Sequence, residues 1–199
     1  EGKFYHIYNR GNNREDIFKE EENYTYFLRK YSEYLSEHVE TYAYCLMPNH
    51  FHLLVRIKEK ERKPQATKIS KTFVAFSSGL TPTEKAFKDF FISYAKSINK
   101  RYNRTGSLFQ YKFKRKQVDS ESYLRQLVIY IHLNPVKAEL CDLITEWPFS
   151  SYNAIVNNDS NSVNRKKVLE WFDDINNFEH CHKARLQTEE IKEYLFDEN

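Results

Sequence analysis

A chain of 199 residues with 40% hydrophobic and 30% charged residues can bury a core, which excludes a disordered chain and suits one domain with an appendage or two small ones. Three widely spaced cysteines without a CxxC pair exclude a disulfide framework, and no apolar run reaches the roughly 18 residues of a membrane span; with no signal-like opening segment, the expectation is a cytoplasmic protein that meets no membrane. The net charge of +3 is unevenly spread: Phe90 to Val118 holds eight bases and no acid, while Glu170 to Asn199 holds nine acids against three bases.

Phe4 to Arg10 (FYHIYNR) reads as an aromatic strand, closed by the turn signal GNN at Gly11 to Asn13. From Glu21 to His38, aromatic and apolar residues at Tyr24, Phe27, Leu28, Tyr31, Tyr34 and Leu35 follow helical spacing. Val39 to Leu46 alternates as a strand, and Pro48-Asn49 turns the chain into a further strand, His50 to Lys58. Residues Glu59 to Leu80 read as a polar loop with room for a short helix. Thr83 to Tyr102 is a second amphipathic helix. Leu108 to Val118 (LFQYKFKRKQV) is a strand with Lys112, Lys114 and Lys116 on one face. Asp119 is the expected N-cap of a third helix, Ser120 to about Leu133, stopped near Asn134-Pro135.

The order β-α-β-β-α-β followed by a helix predicts an α+β fold, with a ferredoxin-like (RRM-like) antiparallel sheet and two helices on one face. Residues 1–156 are expected as one domain. Residues 157–199 are expected as a linker and an acidic tail, helical around Lys166–Phe172 and Thr188–Leu195.

In MPNHFHLLV (Met47 to Val55) the alternation of a strand puts His50 and His52 on one face and Phe51, Leu53 and Val55 on the other. Two imidazoles side by side on a short apolar strand are either packing residues or half of a metal site. The third helix offers Tyr130 and Asn134 one turn apart on one face, with His132 pointing elsewhere. Two imidazoles and an amide oxygen with open positions suit Mg²⁺ or Mn²⁺ better than a closed zinc site. A tyrosine, with an ordinary pKa of about 10, can act as a nucleophile where a neighbouring cation stabilises charge developing on a phosphoryl group. On spacing alone Tyr130 also fits an ordinary helix tyrosine, and Asn134 a helix stop before Pro135. The bases Lys100, Arg101, Arg104, Lys112, Lys114, Arg115 and Lys116, interleaved with aromatic rings, suggest a nucleic-acid surface, which Arg10 and Arg14 around the first turn would extend.

Five segments add a resemblance. MPNHFHLLV resembles the His-hydrophobic-His signature of the insertion-sequence-200-like single-tyrosine transposases. YHIYNRGNNRE (Tyr5 to Glu15), GSLFQYKF (Gly106 to Phe113) and YLRQLVIYIHLNPVKAEL (Tyr123 to Leu140) are similar, in order, to the branch called REP-associated tyrosine transposases, as is WPFSSY (Trp147 to Tyr152). Asn134 stands where many of the wider superfamily have Gln, and GSLFQ has Phe in place of a more familiar Trp. The similarity spans residues 4 to 152. It implies a metal-dependent endonuclease and strand transferase for single-stranded DNA at hairpins of palindromic repeats. It makes His50, His52 and Asn134 the metal ligands and Tyr130 the nucleophile that forms a 5′-phosphotyrosine. A non-catalytic nucleic-acid-binding module on the same sheet is the alternative, and monomer and homodimer both stay open.

Overall fold

The computed structural model describes residues 2–59, 79–110, 112–158 and 162–186. Strands β1 (Phe4–Arg10), β2 (Val39–Met47), β3 (His50–Ile57) and β4 (Lys114–Val118) form one sheet in the order β2-β3-β1-β4. Every neighbouring pair is antiparallel. Helix α1 (Glu21–Leu35) joins β1 to β2, and α2 (Pro82–Arg101) precedes β4. This is the expected ferredoxin-like α+β arrangement. The turn after β1 needs its glycine: a Cβ at Gly11 would fall 1.9 Å from the Glu15 carbonyl oxygen.

Helices α1 and α2 bury one face of the sheet in a nearly pure aromatic layer. Phe51 of β3 lies 5.2 Å from the Phe27 ring and 5.6 Å from Phe91, and Phe27 meets Phe90 and Tyr94 edge-on. The polar tips inside this layer are satisfied: the Tyr94 hydroxyl donates to the Ile17 carbonyl at 2.9 Å, and the Tyr31 hydroxyl meets Thr41 Oγ1 at 2.7 Å. α2 starts at a capping box, in which the Thr81 hydroxyl accepts from the Glu84 amide and the Glu84 carboxylate accepts from the Thr81 amide.

The opposite face is covered by α3 (Glu121–Lys137), followed by α4 (Ser151–Asn157), α5 (Arg165–Trp171) and α6 (Ile175–Leu186). β2 is therefore buried almost throughout rather than on alternate residues, because helices pack on both its sides. Its outer edge is sealed by the WPFSSY segment. The Trp147 indole donates to the Leu46 carbonyl at 2.9 Å, the Leu46 amide donates to the Phe149 carbonyl, and the Phe149 ring stacks on Tyr24 at 3.9 Å. A motif in that position keeps an edge strand from pairing with another chain.

Several boundaries differ from the sequence expectation. The strand proposed over Leu108–Val118 is only Lys114–Val118, because Lys112 takes a left-handed backbone with φ 61° that breaks the extended run. Ser120, not Asp119, caps α3, accepting from the Tyr123 amide. α3 does not stop at Asn134-Pro135 but runs to Lys137 with Pro135 inside it. A proline there removes one backbone donor, yet Pro135 is buried and the turn closes behind it through the Ala138 and Leu140 amides. Packing overrides the local stop signal. Beyond the linker, α5 and α6 fold back onto the domain: Trp171 stacks on Tyr42 at 5.1 Å, and Phe178 and His182 are buried. The short helix considered within Glu59–Leu80 falls almost wholly, and the helix over Thr188–Leu195 falls entirely, outside the described residues. Among the described residues, no helix is long and apolar enough to cross a membrane.

Candidate active site and nucleic-acid interface

Sheet register decides which side chains share the second face, because residues directly opposite in antiparallel strands point the same way. His52 lies opposite Tyr8 of β1 and Cys45 of β2, and His50 opposite Arg10 and Met47. Tyr8 in turn lies opposite Lys114, and His6 opposite Lys116. One face thus carries His6, Tyr8, Arg10, His50, His52, Lys114 and Lys116. Arg115 has the other parity; it reaches Glu84 of α2 at 2.7 Å.

The two histidines are held from behind. His50 Nδ1 lies 2.6 Å from Asn49 Oδ1, and His52 Nδ1 lies 2.9 Å from His6 Nε2. An amide oxygen only accepts, so His50 carries its proton on Nδ1 and leaves its Nε2 lone pair for another partner. His52 Nε2 is buried and has no hydrogen-bond partner among the described residues. A buried imidazole nitrogen in that condition is costly unless something else fills it. Burial, reinforced by His6, His50 and Arg10, holds the His52 pKa well below its ordinary value, and burial with Lys116 brings His6 down to about 3. Both rings are neutral at physiological pH, the form that binds a metal.

α3 supplies the other half. The Tyr130 ring stands edge-on to His52 at 5.4 Å and to His6 at 6.3 Å. Asn134 follows one turn later. Its Nδ2 donates to the Tyr130 carbonyl at 2.8 Å, so the amide is oriented by its own helix and Oδ1 remains as the acceptor atom. Tyr130 and Asn134 are 6% and 7% exposed, so both look into the sheet rather than into solvent. His132, on another side of α3, joins a separate buried cluster with His182 and Ser151. Among the described residues no group of three His, Cys, Asp or Glu side chains forms a metal cluster. Any cation here would depend on the Asn134 amide as well as on the imidazoles. The donor set fits a hard divalent ion with open positions: two imidazoles, one of which has a buried Nε2 with no hydrogen-bond partner among the described residues, and an oxygen from a neighbouring helix.

The basic residues divide into two groups. Lys114 lies over the Tyr8 ring at 5.8 Å and Lys116 over the Tyr123 ring at 5.4 Å, next to the histidines. Arg10 is beside His50, and Lys112 is exposed just ahead of β4. By contrast Arg101 pairs with Glu20 and Glu22, and Arg104 with Glu15, near the start of α1. Lys100 lies on the same α1–α2 groove as Arg101. Arg14 sits in the turn after β1 with φ 61°. Sequence reasoning missed His6, Tyr8, Asn49 and Lys137. The first two carried a signal, since His6, Tyr8 and Arg10 alternate along one strand face.

No family model matches the chain. It is 26% identical over 114 residues to a protein of Haemophilus influenzae assigned to the REP-associated tyrosine transposases, a match that takes in 57% of this chain and 59% of that protein. The chain thus spans less than two thirds of that relative's length. A solved REP-associated tyrosine transposase, bound to a REP hairpin, superposes with a TM-score of 0.57 at 16% identity, over 78% of this chain and 79% of the other. That second likeness is one of fold. A stretch of the chain is thus similar in sequence to one REP-associated tyrosine transposase, and its fold is similar to that of another.

Proposed function

We propose that this protein is a metal-dependent endonuclease and strand transferase for single-stranded DNA, cutting at or near hairpins through Tyr130. The observation that carries the reading is the Tyr130 ring set against His52, whose buried Nε2 has no hydrogen-bond partner among the described residues. His50, His52 and Asn134 would hold Mg²⁺ or Mn²⁺. Such an ion, when bound, withdraws charge from a phosphoryl oxygen.

The chain's own residues account for the rest. His6 and Asn49 hold the two imidazoles by their Nδ1 atoms, which fixes the ring orientations. Tyr130 Oη attacks phosphorus and loses its proton as the P–O bond forms. The bond from phosphorus to the 3′ oxygen breaks, and that oxygen takes up a proton. The product is a 5′-phosphotyrosine and a 3′-hydroxyl, and the reverse attack by a 3′-hydroxyl rejoins a strand. Arg10, Lys112, Lys114 and Lys116 lie where the sugar-phosphate backbone would approach, with Tyr8 and Tyr123 as stacking surfaces beneath two of them. The relatives favour a palindromic-repeat hairpin as the substrate.

Hairpin-bearing single-stranded DNA with Mg²⁺ or Mn²⁺ should yield a covalent protein–DNA band on a denaturing gel. Tyr130→Phe should remove it entirely while the protein still binds the DNA. An adduct surviving in Tyr130→Phe would overturn the nucleophile. The near-complete burial of Tyr130 is what favours the second reading, a non-catalytic binding module. That module would bind DNA equally well with or without chelator and form no adduct with either metal.

A further inference from the structure

Pro135 does not end α3, and the extra turn brings a residue into play that the motif alone does not assign. Lys137 lies seven residues after Tyr130, two turns along the same helix face, and its Nζ sits 5.6 Å from the Tyr130 ring centroid. That Nζ is covered and has no hydrogen-bond acceptor among the described residues. Arg185 of α6 is near enough to oppose its charge, and together with burial this brings the Lys137 ammonium down to about 8.

Several cations elsewhere on the molecule are matched with carboxylates: Arg115 with Glu84, Arg101 with Glu20 and Glu22, and Lys85 with Asp89. Lys137 is the contrary case, a covered ammonium with a second cation for company and no acceptor. Removing a charge from water without a partner is unfavourable. A covered ammonium without an acceptor among the described residues, set beside a proposed nucleophile, suits an anion that arrives from outside. The anion Tyr130 would meet is a phosphodiester.

We propose that Lys137, with Arg185 beside it, forms a phosphate subsite that holds the DNA strand at or next to the bond Tyr130 attacks. The proposal rests on the reading of Tyr130 as nucleophile. It adds a role for α6, which lies beyond the stretch that resembles the transposases, because α6 brings Arg185 to the site. The ammonium donates to non-bridging phosphate oxygens, a charge-assisted contact that fixes the strand against the phenol.

The test compares two DNAs: a hairpin with long single-stranded flanks, and the same hairpin without flanks. Lys137→Met keeps the length of the side chain and its packing on Tyr130 while removing the charge. Its affinity for the flanked DNA should fall about tenfold at low salt, and the slope of log affinity against log salt should shrink by about 0.7, one phosphate contact. Its affinity for the flankless hairpin should not change, and its adduct formation should slow at least in proportion. Lys137→Arg should restore both, and Arg185→Gln should move both in the same direction by less. A wild-type salt slope with a wild-type adduct rate in Lys137→Met would overturn the subsite, as would equal losses on the two DNAs. The outcomes separate from those of the parent reading. If the wild-type chain forms no adduct, the nucleophile fails, whereas the flank-dependent salt slope still reports whether Lys137 holds a phosphate.

Discussion

Two buried histidine pairs lie on the α3 side of the sheet, and they differ in how their outer nitrogens are satisfied. His132 and His182 form a closed chain. His182 Nδ1 donates to the Phe178 carbonyl at 2.7 Å, which leaves its Nε2 to accept from His132 Nδ1 at 3.0 Å. His132 Nε2 then accepts from the Ser151 hydroxyl at 2.8 Å, while that oxygen accepts from the Tyr44 amide. One assignment of protons satisfies every member, so this pair is a clamp between α3, α6 and β2. His6 and His52 also meet at 2.9 Å, yet the buried His52 Nε2 has no hydrogen-bond partner among the described residues. The closed pair is satisfied by the fold. The open one leaves a nitrogen that a ligand could fill.

Mutations should separate the two pairs. The largest effect belongs to the open end: His52→Ala should abolish Mn²⁺ binding measured by calorimetry and bring adduct formation to background. Unchanged Mn²⁺ affinity in that variant would remove the metal site altogether. His132→Ala should do the reverse, leaving Mn²⁺ affinity near wild type while lowering stability by about 3 kcal/mol, read from urea unfolding, because it opens a cavity and strands two buried polar partners.

Acid should act next, through the closed pair. Burial lowers His182 from an ordinary 6.5 to about 4, against the opposing bond to the Phe178 carbonyl. The unfolded chain therefore takes up a proton near pH 6.5 that the folded chain refuses until about pH 4. Stability from this group is complete above 6.5 and drains as the pH falls toward 4. Between pH 7.5 and 5 the loss from His182 alone should be about 2 kcal/mol, and His182→Asn should flatten that part of the profile. The smallest effect should come from the outer member of the open pair. His6→Phe keeps a buried ring but withdraws the group that orients His52. It should weaken Mn²⁺ binding about tenfold without abolishing it.

Much of this was legible in the residues. Spacings of two, three and four gave the element order, because one face of each strand and helix is committed to the core. Strand parity placed His50 with His52, and helical parity placed Tyr130 with Asn134 and sent His132 elsewhere. What stayed hidden depended on register and on tertiary packing. His6 meets His52 only because β1 and β3 align Tyr8 with His52, and no local pattern encodes that offset. Lys137 lay behind a proline that reads as a stop until Pro135 is seen buried within the helix. Arg115, grouped with its neighbours by sequence, turns out by parity to face α2. The acidic tail gave a composition but not its docking, since His182 finds His132 across 50 residues.

The 5.4 Å separation of Tyr130 and His52 is measured within a single polypeptide. A centre assembled from halves on two molecules must wait for them to collide, so its rate falls with the square of concentration when copies are scarce. Here both halves travel together, fixed by α3 lying across its own sheet. If the proposed chemistry runs in this arrangement, adduct formation should be first order in protein; a second-order dependence would mean that the two halves come from different copies.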